Sequence, residues 1–319
     1  MAKTEISVIM LTYNREKLVA RAIESILNQT FKNFDFIIVD NGSTDRSGAI
    51  ADEYALKDSR IKIIHREQGN IGSGRNAGLD AATGKYVAFI DDDDYAETDF
   101  LEFLYNLAKK HNADIAVCGS TKEENGQQLP NGIYQYDEKY IMDAEQATVN
   151  FLWRKLYNAA MPTKLVRREM FDNIRFLNEG KYDDITTTYR YFANAKIVVA
   201  HGLPKYCFYR HPGNNSSAAT KHHLLNPVQL DEYLAAFRER TEYISKVLPQ
   251  LADLALYSEW SYMISMVEKI HRYELTNCDK PLNFMKKELQ ANREAFYHGE
   301  FIQDFEIEWM DKYILNQGE

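Results

Sequence analysis

A short apolar run that ends in four consecutive aspartates constrains this chain more than any other feature. Residues 86–90 are apolar, which predicts a buried β-strand, and Asp91, Asp92, Asp93 and Asp94 follow directly. Adjacent carboxylates repel one another, and at the end of a buried strand they are also partly desolvated. Mg²⁺ or Mn²⁺ relieves both costs, because these ions bind one or two protein carboxylates together with phosphate oxygens. The run therefore predicts a metal site that holds a polyphosphate.

The same aspartates allow a second interpretation that needs no ligand. Runs of like charge are usually exposed, and a solvated acidic loop could lead into a helix capped by Asp99, with Glu102 completing a capping box. The position of the aspartates at the carboxyl end of a buried strand favours the ligand site, because open α/β sheets bind ligands at that edge.

Composition limits the classes of partner. The 319 residues carry a formal net charge of −9, which disfavours nucleic-acid binding, since that requires a basic surface. The cysteines Cys118, Cys207 and Cys278 lack metal-ligand spacing and suit a reducing compartment. No apolar run reaches transmembrane length, and the amino terminus lacks a signal-peptide pattern. We therefore expect a cytoplasmic protein, with peripheral contact at the inner face of the membrane left open.

Apolar strand candidates alternate with amphipathic helices through the first half of the chain. The candidates are residues 6–11, 34–39, 61–64, 86–90 and 115–119. This alternation predicts an α/β fold with an open, mostly parallel sheet flanked by helices. The carboxyl ends of the strands would meet at one rim, which Thr12, Tyr13, Asn14 and Asp40 would share with the aspartates. Asn14 is also expected to cap the first helix.

Two common phosphate-binding loops are absent from the sequence. The first strand is not followed by Gly-x-Gly-x-x-Gly, which disfavours an ordinary dinucleotide-binding fold, and there is no Gly-x-x-x-x-Gly-Lys-Ser/Thr loop. A metal and side chains must therefore hold any phosphate.

Several longer stretches occur in a characteristic order. They are residues 6–14, Ala22-Ile23-Glu24-Ser25-Ile26-Leu27-Asn28-Gln29-Thr30, Ile37-Ile38-Val39-Asp40-Asn41-Gly42-Ser43-Thr44-Asp45, Gly74-Arg75-Asn76-Ala77-Gly78 and Phe89-Ile90-Asp91-Asp92-Asp93-Asp94. Together they resemble glycosyltransferase family 2, of the GT-A fold, nearly without gaps from residue 6 to about 120 and more weakly to about 217. The resemblance implies a Rossmann-like sheet and transfer of a sugar from a nucleotide-activated donor, usually with inversion at the anomeric carbon.

The resemblance also implies which rim residues bind the nucleotide. They are Thr12, Tyr13, Asn14, Asp40, Arg75 and Asp92. Tyr13 would stack on the base, and Asp40 would accept a hydrogen bond from it. From residue types alone, Thr12 and Tyr13 could instead pack at a strand end, and Arg75 could form a salt bridge with a neighbouring carboxylate.

For the metal, the resemblance implies that Asp91 and Asp93 form a DXD element. His211 would be a third ligand, although a lone histidine is more often structural. Asn41 departs from the family, which usually has a second acid at this position.

Two adjacent acids in the second half, Asp183 and Asp184, fall where family members carry a Glu-Asp pair. By the resemblance, Asp184 matches the catalytic base and Asp183 replaces the usual glutamate. In a simpler interpretation both are first-turn acids of a helix, stabilised by its dipole. Lys164 lies in a Lys-Leu segment that the family places beside the donor sugar, and residues 206–217 resemble a closing segment whose basic residues lie near the phosphates.

The resemblance does not extend to the carboxyl-terminal residues. From residue 226 onward, apolar and aromatic residues recur at helical spacing. We expect a catalytic domain at residues 1–220 and a helical region at residues 221–319. That region could pack on the catalytic domain, recognise the acceptor or form a homo-oligomer.

Together these features predict a metal-dependent, inverting glycosyltransferase. It would move a sugar from a nucleotide-diphosphate sugar, expected to be a UDP-sugar, to a hydroxyl of a glycan, glycolipid or glycoprotein in polysaccharide or glycoconjugate synthesis. Mn²⁺ or Mg²⁺ would neutralise the leaving diphosphate while Asp184 deprotonates the acceptor. The alternatives are a non-catalytic nucleotide-sugar-binding interaction protein and, more distantly, a sugar nucleotidyltransferase.

Overall fold

The protein is described by a computed structural model over residues 4–129, 132–211, 213–214 and 222–315. Two compact units make up the chain, Met1–His211 and Pro212–Glu319. The domain boundary expected after residue 220 lies outside the described residues, so it stays a prediction.

In the first unit, ten strands of the described residues form one sheet. The strands are β1 Ile6–Thr12, β2 Phe34–Asp40, β3 Ile61–His65, β4 Tyr86–Asp91, β5 Tyr95–Ala96, β6 Ile115–Glu124, β7 Gln127–Gln128, β8 Lys139–Met142, β9 Lys164–Arg167 and β10 Val198–Arg210. The helices are α1 Val19–Leu27, α2 Ser47–Ala55, α3 Ile71–Ala81, α4 Phe100–His111, α5 Ala144–Leu152 and α6 Asp183–Asn194. The predicted α/β class, with a central sheet flanked by helices, is confirmed.

The sheet is parallel in its first half and mixed in its second half. Its order is β3-β2-β1-β4-β9-β6-β10-β5, with β7 beside β6 and β8 beside β10. Strands β3, β2, β1 and β4 pair in parallel, as the alternation predicted. Strand β9 is antiparallel to both β4 and β6, and β10 is parallel to β6 but antiparallel to β5 and β8. Because β9 lies antiparallel between them, β4 and β6 point the same way.

The two faces of β1 contact different helices. Its side chains at Ile6, Val8 and Met10 belong to a core cluster with α1 and α4. On the other face α3 lies very close to the strand, since a Cβ atom on Gly74 would be 2.3 Å from Leu11 Cδ1. Sequence analysis did not identify α3, because glycine is unfavourable inside helices. At this position glycine is required for the close contact that brings α3 to the rim of the sheet.

Two predicted helix caps are wrong. Helix α1 begins at Val19, and the preceding Leu18 makes no side-chain cap. Asn14 instead has a φ of 53°, and its Oδ1 accepts a hydrogen bond from the Thr44 N–H at 2.8 Å, which ties the end of β1 to the loop after β2. Asp99 precedes α4 without capping it, because its carboxylate pairs with Lys205 Nζ at 2.6 Å.

The described part of the second unit is helical, as the apolar spacing predicted. Its helices are α7 Pro227–Val247, α8 Ala252–Arg272, α9 Asp279–Ala291, α10 Arg293–Tyr297 and α11 Asp304–Met310. Asn226 caps α7 by accepting a hydrogen bond from the Gln229 N–H at 3.0 Å. Among the described residues, no helix is both long enough and apolar enough to cross a membrane.

Candidate active site

The carboxyl end of β1 meets the aspartate run that follows β4. The Tyr13 N–H donates to Asp92 Oδ2 at 3.0 Å, which joins the two strand ends. Thr12 beside it is fully buried, and its hydroxyl lies close enough to Asp92 to help lower the pKa of that acid. The end of β1 therefore interacts with Asp92 through both Tyr13 and Thr12.

Asp40 ends β2 in a hydrogen-bonded corner. Its Oδ1 accepts from the Ser43 N–H at 3.0 Å, and its Oδ2 lies 3.0 Å from His65 Nδ1. The other ring nitrogen of His65 lies 3.0 Å from Asp52 Oδ1. The hydrogen bond to Asp40, assisted by the one to Asp52, raises the pKa of His65 above its ordinary value of 6.5. His65 is thus part of the candidate base-binding corner.

Asn41, where the family usually has an acid, is buried and pairs with the backbone of Gly69. Its Nδ2 donates to the Gly69 carbonyl at 2.7 Å, and its Oδ1 accepts from the Gly69 N–H at 3.2 Å. A carboxylate could only accept, so asparagine makes both bonds where an ionised acid would make one. Asparagine at this position, in place of the usual acid, therefore fixes the loop that precedes α3.

Asp94 is the structural member of the aspartate run. It is buried, and it accepts hydrogen bonds from the Tyr206 hydroxyl at 2.9 Å and the Tyr209 N–H at 2.8 Å. The same Tyr206 oxygen accepts from the Asp91 N–H at 3.1 Å. Two residues of β10 therefore fix the shape of the acidic loop through three hydrogen bonds.

Asp93 lies beside a histidine and two arginines. Its Oδ2 lies 2.9 Å from His211 Nε2 and 3.8 Å from Arg15 Nε. Arg15 is equally close to Asp92, and Arg21 donates to the Asp93 carbonyl at 3.0 Å. The structure thus brings the predicted ligand His211 to Asp93.

Burial makes it energetically unfavourable for these neighbouring acids to be ionised at the same time. Burial and the charge of Asp93 together raise the pKa of Asp92 to about 7, against the opposing effect of the Tyr13 N–H. Burial and Asp93 also raise the pKa of Asp94 well above its usual range. An added cation would stabilise the ionised cluster.

Arg75 lies at the centre of the site and links two acids from different elements. Its Nη1 is 2.9 Å from Asp183 Oδ2, and its Nη2 is 3.3 Å from Asp91 Oδ1. Arg75 and Asp183 are both buried. The salt-bridge alternative for Arg75 is therefore correct, whereas its contact with a nucleotide stays a prediction.

Asp183 and Asp184 occupy the first turn of α6, as the simpler interpretation expected. Burial raises the pKa of Asp183 to about 6 against the opposing charge of Arg75, and Asp184 contributes to the rise. Asp184 itself is partly exposed, and its Oδ1 accepts from the Ile185 N–H at 2.8 Å. Its charge also helps raise the pKa of Asp91. The fold thus brings Asp184 to the acidic loop, although the two are far apart in sequence.

Lys164, the first residue of β9, is almost fully buried. Its Nζ donates to the Ala160 carbonyl at 2.5 Å and to Thr163 Oγ1 at 3.3 Å. Burial lowers its pKa to about 7, against the opposing effects of Cys118 and Asp184. Its position beside a donor sugar, which the family resemblance implied, stays a prediction.

The described residues contain no group of three or more His, Cys, Asp and Glu side chains arranged to hold a metal ion. They do provide two carboxylates, Asp91 and Asp93, with His211 beside the second. Mg²⁺ is typically held by one or two carboxylates and completes its shell with water and substrate phosphates. These donors therefore fit a metal that arrives with a diphosphate, rather than one in an all-protein cage.

A comparison with protein families shows to which family the chain belongs. The model of the family described as "Glycosyl transferase family 2" matches residues 7–175, more than half of the chain. The chain belongs to glycosyltransferase family 2. This family 2 enzyme is therefore a glycosyltransferase that acts on a nucleotide-activated sugar.

Individual relatives agree with the family. The chain is 29% identical over 219 residues to glycosyltransferase GlyG of Streptococcus pneumoniae, an alignment that covers 66% of the chain and 72% of GlyG. It is 28% identical over 223 residues to the poly(ribitol-phosphate) beta-glucosyltransferase of Bacillus spizizenii, covering 67% of the chain and 34% of that protein. The chain spans about half the length of three other glycosyltransferases that it matches.

A solved structure extends the fold comparison to nearly the whole chain. Staphylococcus aureus TarS 1-349, solved in complex with UDP-GlcNAc, aligns with a TM-score of 0.68 at 19% identity, covering 94% of this chain and 93% of that one. At this identity the likeness concerns the fold, which is of the type that the sequence predicted.

Three basic residues of the family 2 site were missed by sequence reasoning. They are Arg15, Arg21 and His65. Only their positions in the sequence could have identified them, since Arg15 follows β1 closely and His65 ends β3 at the same rim of the sheet. The predicted closing segment is only partly visible, because residues 212 and 215–217 lie outside the described residues, whereas Arg210 and His211 lie within them.

Proposed function

We propose that this enzyme is a metal-dependent, inverting transferase that moves a sugar from a UDP-sugar to a carbohydrate hydroxyl during polysaccharide synthesis. One observation carries the proposal. A partly exposed carboxylate, Asp184, acts electrostatically on the acidic loop that ends β4, while the neighbouring Asp183 is buried against Arg75. The site therefore combines a group that can accept a proton with acids that can hold a metal ion and, through it, a diphosphate.

The nucleoside would bind at the ends of β1 and β2. Thr12 is buried beside Asp92, and Tyr13 next to it has a partly exposed side chain. Asp40 already contacts Ser43 and His65, but a carboxylate has about four lone-pair sites and can accept a further bond from a base N–H. A UDP donor is favoured because TarS, which has a similar fold, was solved in complex with UDP-GlcNAc and with UDP.

The diphosphate would lie over Asp91, Asp92 and Asp93. Asp91 and Asp93 would hold Mn²⁺ or Mg²⁺ together with diphosphate oxygens, with His211 beside Asp93, and the chemistry that such a metal supplies is neutralisation of charge on the leaving diphosphate. Arg15 lies 3.8 Å from both Asp92 and Asp93, so its positive charge would lie next to a diphosphate bound there.

Asp184 would act as the general base. The acceptor hydroxyl gives its proton to Asp184 as its oxygen attacks the anomeric carbon, while the bond from that carbon to the diphosphate oxygen breaks. Attack opposite the leaving group inverts the anomeric configuration. Asp183 would position Asp184 rather than react, because its carboxylate is engaged by Arg75 at 2.9 Å.

Calorimetry and product analysis test this function together. UDP is titrated with Mn²⁺ and again with EDTA, and the enzyme is then incubated with UDP-glucose, UDP-galactose or UDP-N-acetylglucosamine, with and without carbohydrate acceptors. We expect metal-dependent UDP binding and release of UDP from one donor. Binding without turnover in both wild type and Asp184→Asn would identify a binding protein, and release of pyrophosphate would identify a nucleotidyltransferase.

A further inference from the structure

One face of the first helix contacts the segment that ends the acidic loop. Arg21 and Ser25 are four residues apart in α1, so their side chains lie on the same face of the helix. Arg21 Nη2 donates to the Asp93 carbonyl at 3.0 Å, and Ser25 Oγ accepts a hydrogen bond from the Ala96 N–H at 3.2 Å. This face of α1 therefore holds the backbone at the end of the aspartate run.

The guanidinium of Arg21 also contacts two tyrosine rings from different strands. Its Cζ atom lies 4.8 Å from the ring centroid of Tyr95 in β5 and 4.2 Å from that of Tyr209 in β10. Both distances are within the roughly 6 Å over which a cation is attracted to an aromatic face. Glu123 of β6 pairs with Arg21 Nη1 at 3.5 Å and accepts a hydrogen bond from the Tyr95 hydroxyl at 2.6 Å. One side chain thus connects α1 to three strands.

Tyr209 extends this arrangement to the residues proposed to lie beside the metal. Its ring stacks on His211, with centroids 5.7 Å apart and planes inclined by 28°. His211 Nε2 in turn lies 2.9 Å from Asp93 Oδ2. Arg21 therefore reaches the same pair by two routes, through the Asp93 carbonyl and through the ring that packs on His211. Because one contact is to a backbone oxygen and the other to a ring, Arg21 can orient both groups without being a metal ligand.

We propose that Arg21 is a positioning residue for metal-dependent nucleotide binding, and that it acts by holding Asp93 and His211 in their relative positions. This inference rests on the function proposed above. A metal that arrives with a diphosphate takes few ligands from the protein, so the groups that orient those ligands strongly affect its affinity. Arginine suits the role because its flat guanidinium can stack on rings while its edge donates hydrogen bonds, whereas a lysine ammonium has no flat face.

Calorimetry of UDP binding, with Mn²⁺ and again with EDTA, tests this role. The ratio of the two dissociation constants measures the metal-dependent part of the affinity. We expect Arg21→Lys and Arg21→Gln to lower this ratio by about tenfold, since replacing a group that orients a metal ligand typically costs about 10–100-fold in metal affinity. The affinity measured in EDTA should stay within about twofold of wild type.

Tyr209→Leu tests the route through the ring. The substitution keeps the backbone N–H that donates to Asp94 at 2.8 Å. It removes the ring that lies against Arg21 and His211, so we expect a loss similar to that in Arg21→Lys. The double variant should lose little more than either single variant, because both substitutions act on the same pair. Tyr209→Phe, which keeps the ring, should stay within about twofold of wild type.

The matched control is Arg60→Lys, at the amino end of β3 and thus at the end of the sheet opposite the acidic loop. Arg60 has the same kinds of contact as Arg21. Its Cζ atom lies 4.6 Å from the ring centroid of Phe34, and its Nη2 lies 2.7 Å from Asp58 Oδ2. The same nitrogen donates to the Leu27 carbonyl at 3.2 Å. Arg60→Lys should leave the metal-dependent ratio unchanged, and urea unfolding should show similar stability in the two lysine variants.

An unchanged ratio in Arg21→Lys and Arg21→Gln would overturn the inference; if neither variant folds, an unchanged ratio in Tyr209→Leu would do so. An equal fall of the ratio in Arg60→Lys would also overturn it, as would a loss of affinity as large in EDTA as in Mn²⁺. Absence of UDP binding by wild type, or equal wild-type affinity with Mn²⁺ and with EDTA, would instead refute the proposed function.

Discussion

Substituting each acid of the Asp183–Asp184 pair should separate catalysis from stability. Asp184 is partly exposed, and the hydrogen bond that it accepts from the Ile185 N–H can also be accepted by an asparagine oxygen. We expect Asp184→Asn to change the free energy of unfolding by less than about 0.5 kcal/mol, as for most surface substitutions. Loss of a general base should reduce the single-turnover transfer rate by about 10²–10⁴-fold, with UDP affinity nearly unchanged.

Asp183→Asn should show the opposite profile. Its carboxylate is only 6% exposed and pairs with Arg75, which is 9% exposed, at 2.9 Å. Removing one partner of a buried ion pair typically costs about 3–5 kcal/mol. Because Arg75 keeps Asp91 at 3.3 Å, we expect the lower end, about 3 kcal/mol, together with a milder loss of transfer than in Asp184→Asn.

Urea unfolding followed by circular dichroism measures the stability of both variants, and rapid-quench transfer measures the rate. Full stability in Asp183→Asn would show that the Arg75 pair does not hold α6 in place. Near-normal transfer by Asp184→Asn with collapse in Asp183→Asn would assign the base to Asp183 and refute the roles proposed for the two acids.

Further predictions concern the metal, a histidine and the carboxyl-terminal region. Asp93→Ala should abolish most of the Mn²⁺ dependence of UDP affinity in calorimetry, whereas Asp92→Ala should reduce it less; equal affinity with and without EDTA in wild type would contradict this. Because hydrogen bonds raise the pKa of His65, its charged form stabilises the fold below about pH 6.5 and loses this effect as pH rises through the raised value. The unfolding free energies of wild type and His65→Gln should therefore differ more at about pH 6 than at about pH 9. A chain that ends at residue 219 should lose solubility or acceptor activity in gel filtration and transfer assays, since the apolar helical faces beyond it need burial; a folded, fully active shortened chain would argue against that.

The sequence was most informative where local pattern and position agree. Apolar runs that end in polar residues identified β1, β2 and β4, and the parallel arrangement then placed Thr12, Asp40 and the aspartates at one rim. Helical spacing likewise indicated the helices after residue 226. These patterns involve residues close together in the chain, so they can be recognised without knowledge of tertiary contacts.

Partners that lie far apart in sequence could not be predicted in the same way. Arg75 pairs with a carboxylate 108 positions later, and Asp93 faces His211 across 118 positions. The residue types alone could not decide whether Arg75 forms a salt bridge or contacts a nucleotide, because either interaction would satisfy its guanidinium group. Helix α3 was missed for a related reason, since its glycines are explained by residues of other elements that lie close to it, which are Leu177 at Gly72, Leu11 at Gly74 and Ile9 at Gly78.

The two bonds from β10 to Asp94 have a consequence for the order of folding. Tyr206 and Tyr209 reach the acidic loop from more than a hundred positions away, and Tyr206 holds both ends of that loop. During synthesis the aspartates emerge long before these tyrosines, so for that interval the loop lacks the contacts that shape it. Closing so long a connection is slow, because its chain entropy is lost before the contact forms. The proposed capacity to bind a nucleotide diphosphate should therefore appear only after the last strand has been synthesised and paired. Ligand binding by ribosome-bound chains of increasing length would then show when the sheet is complete.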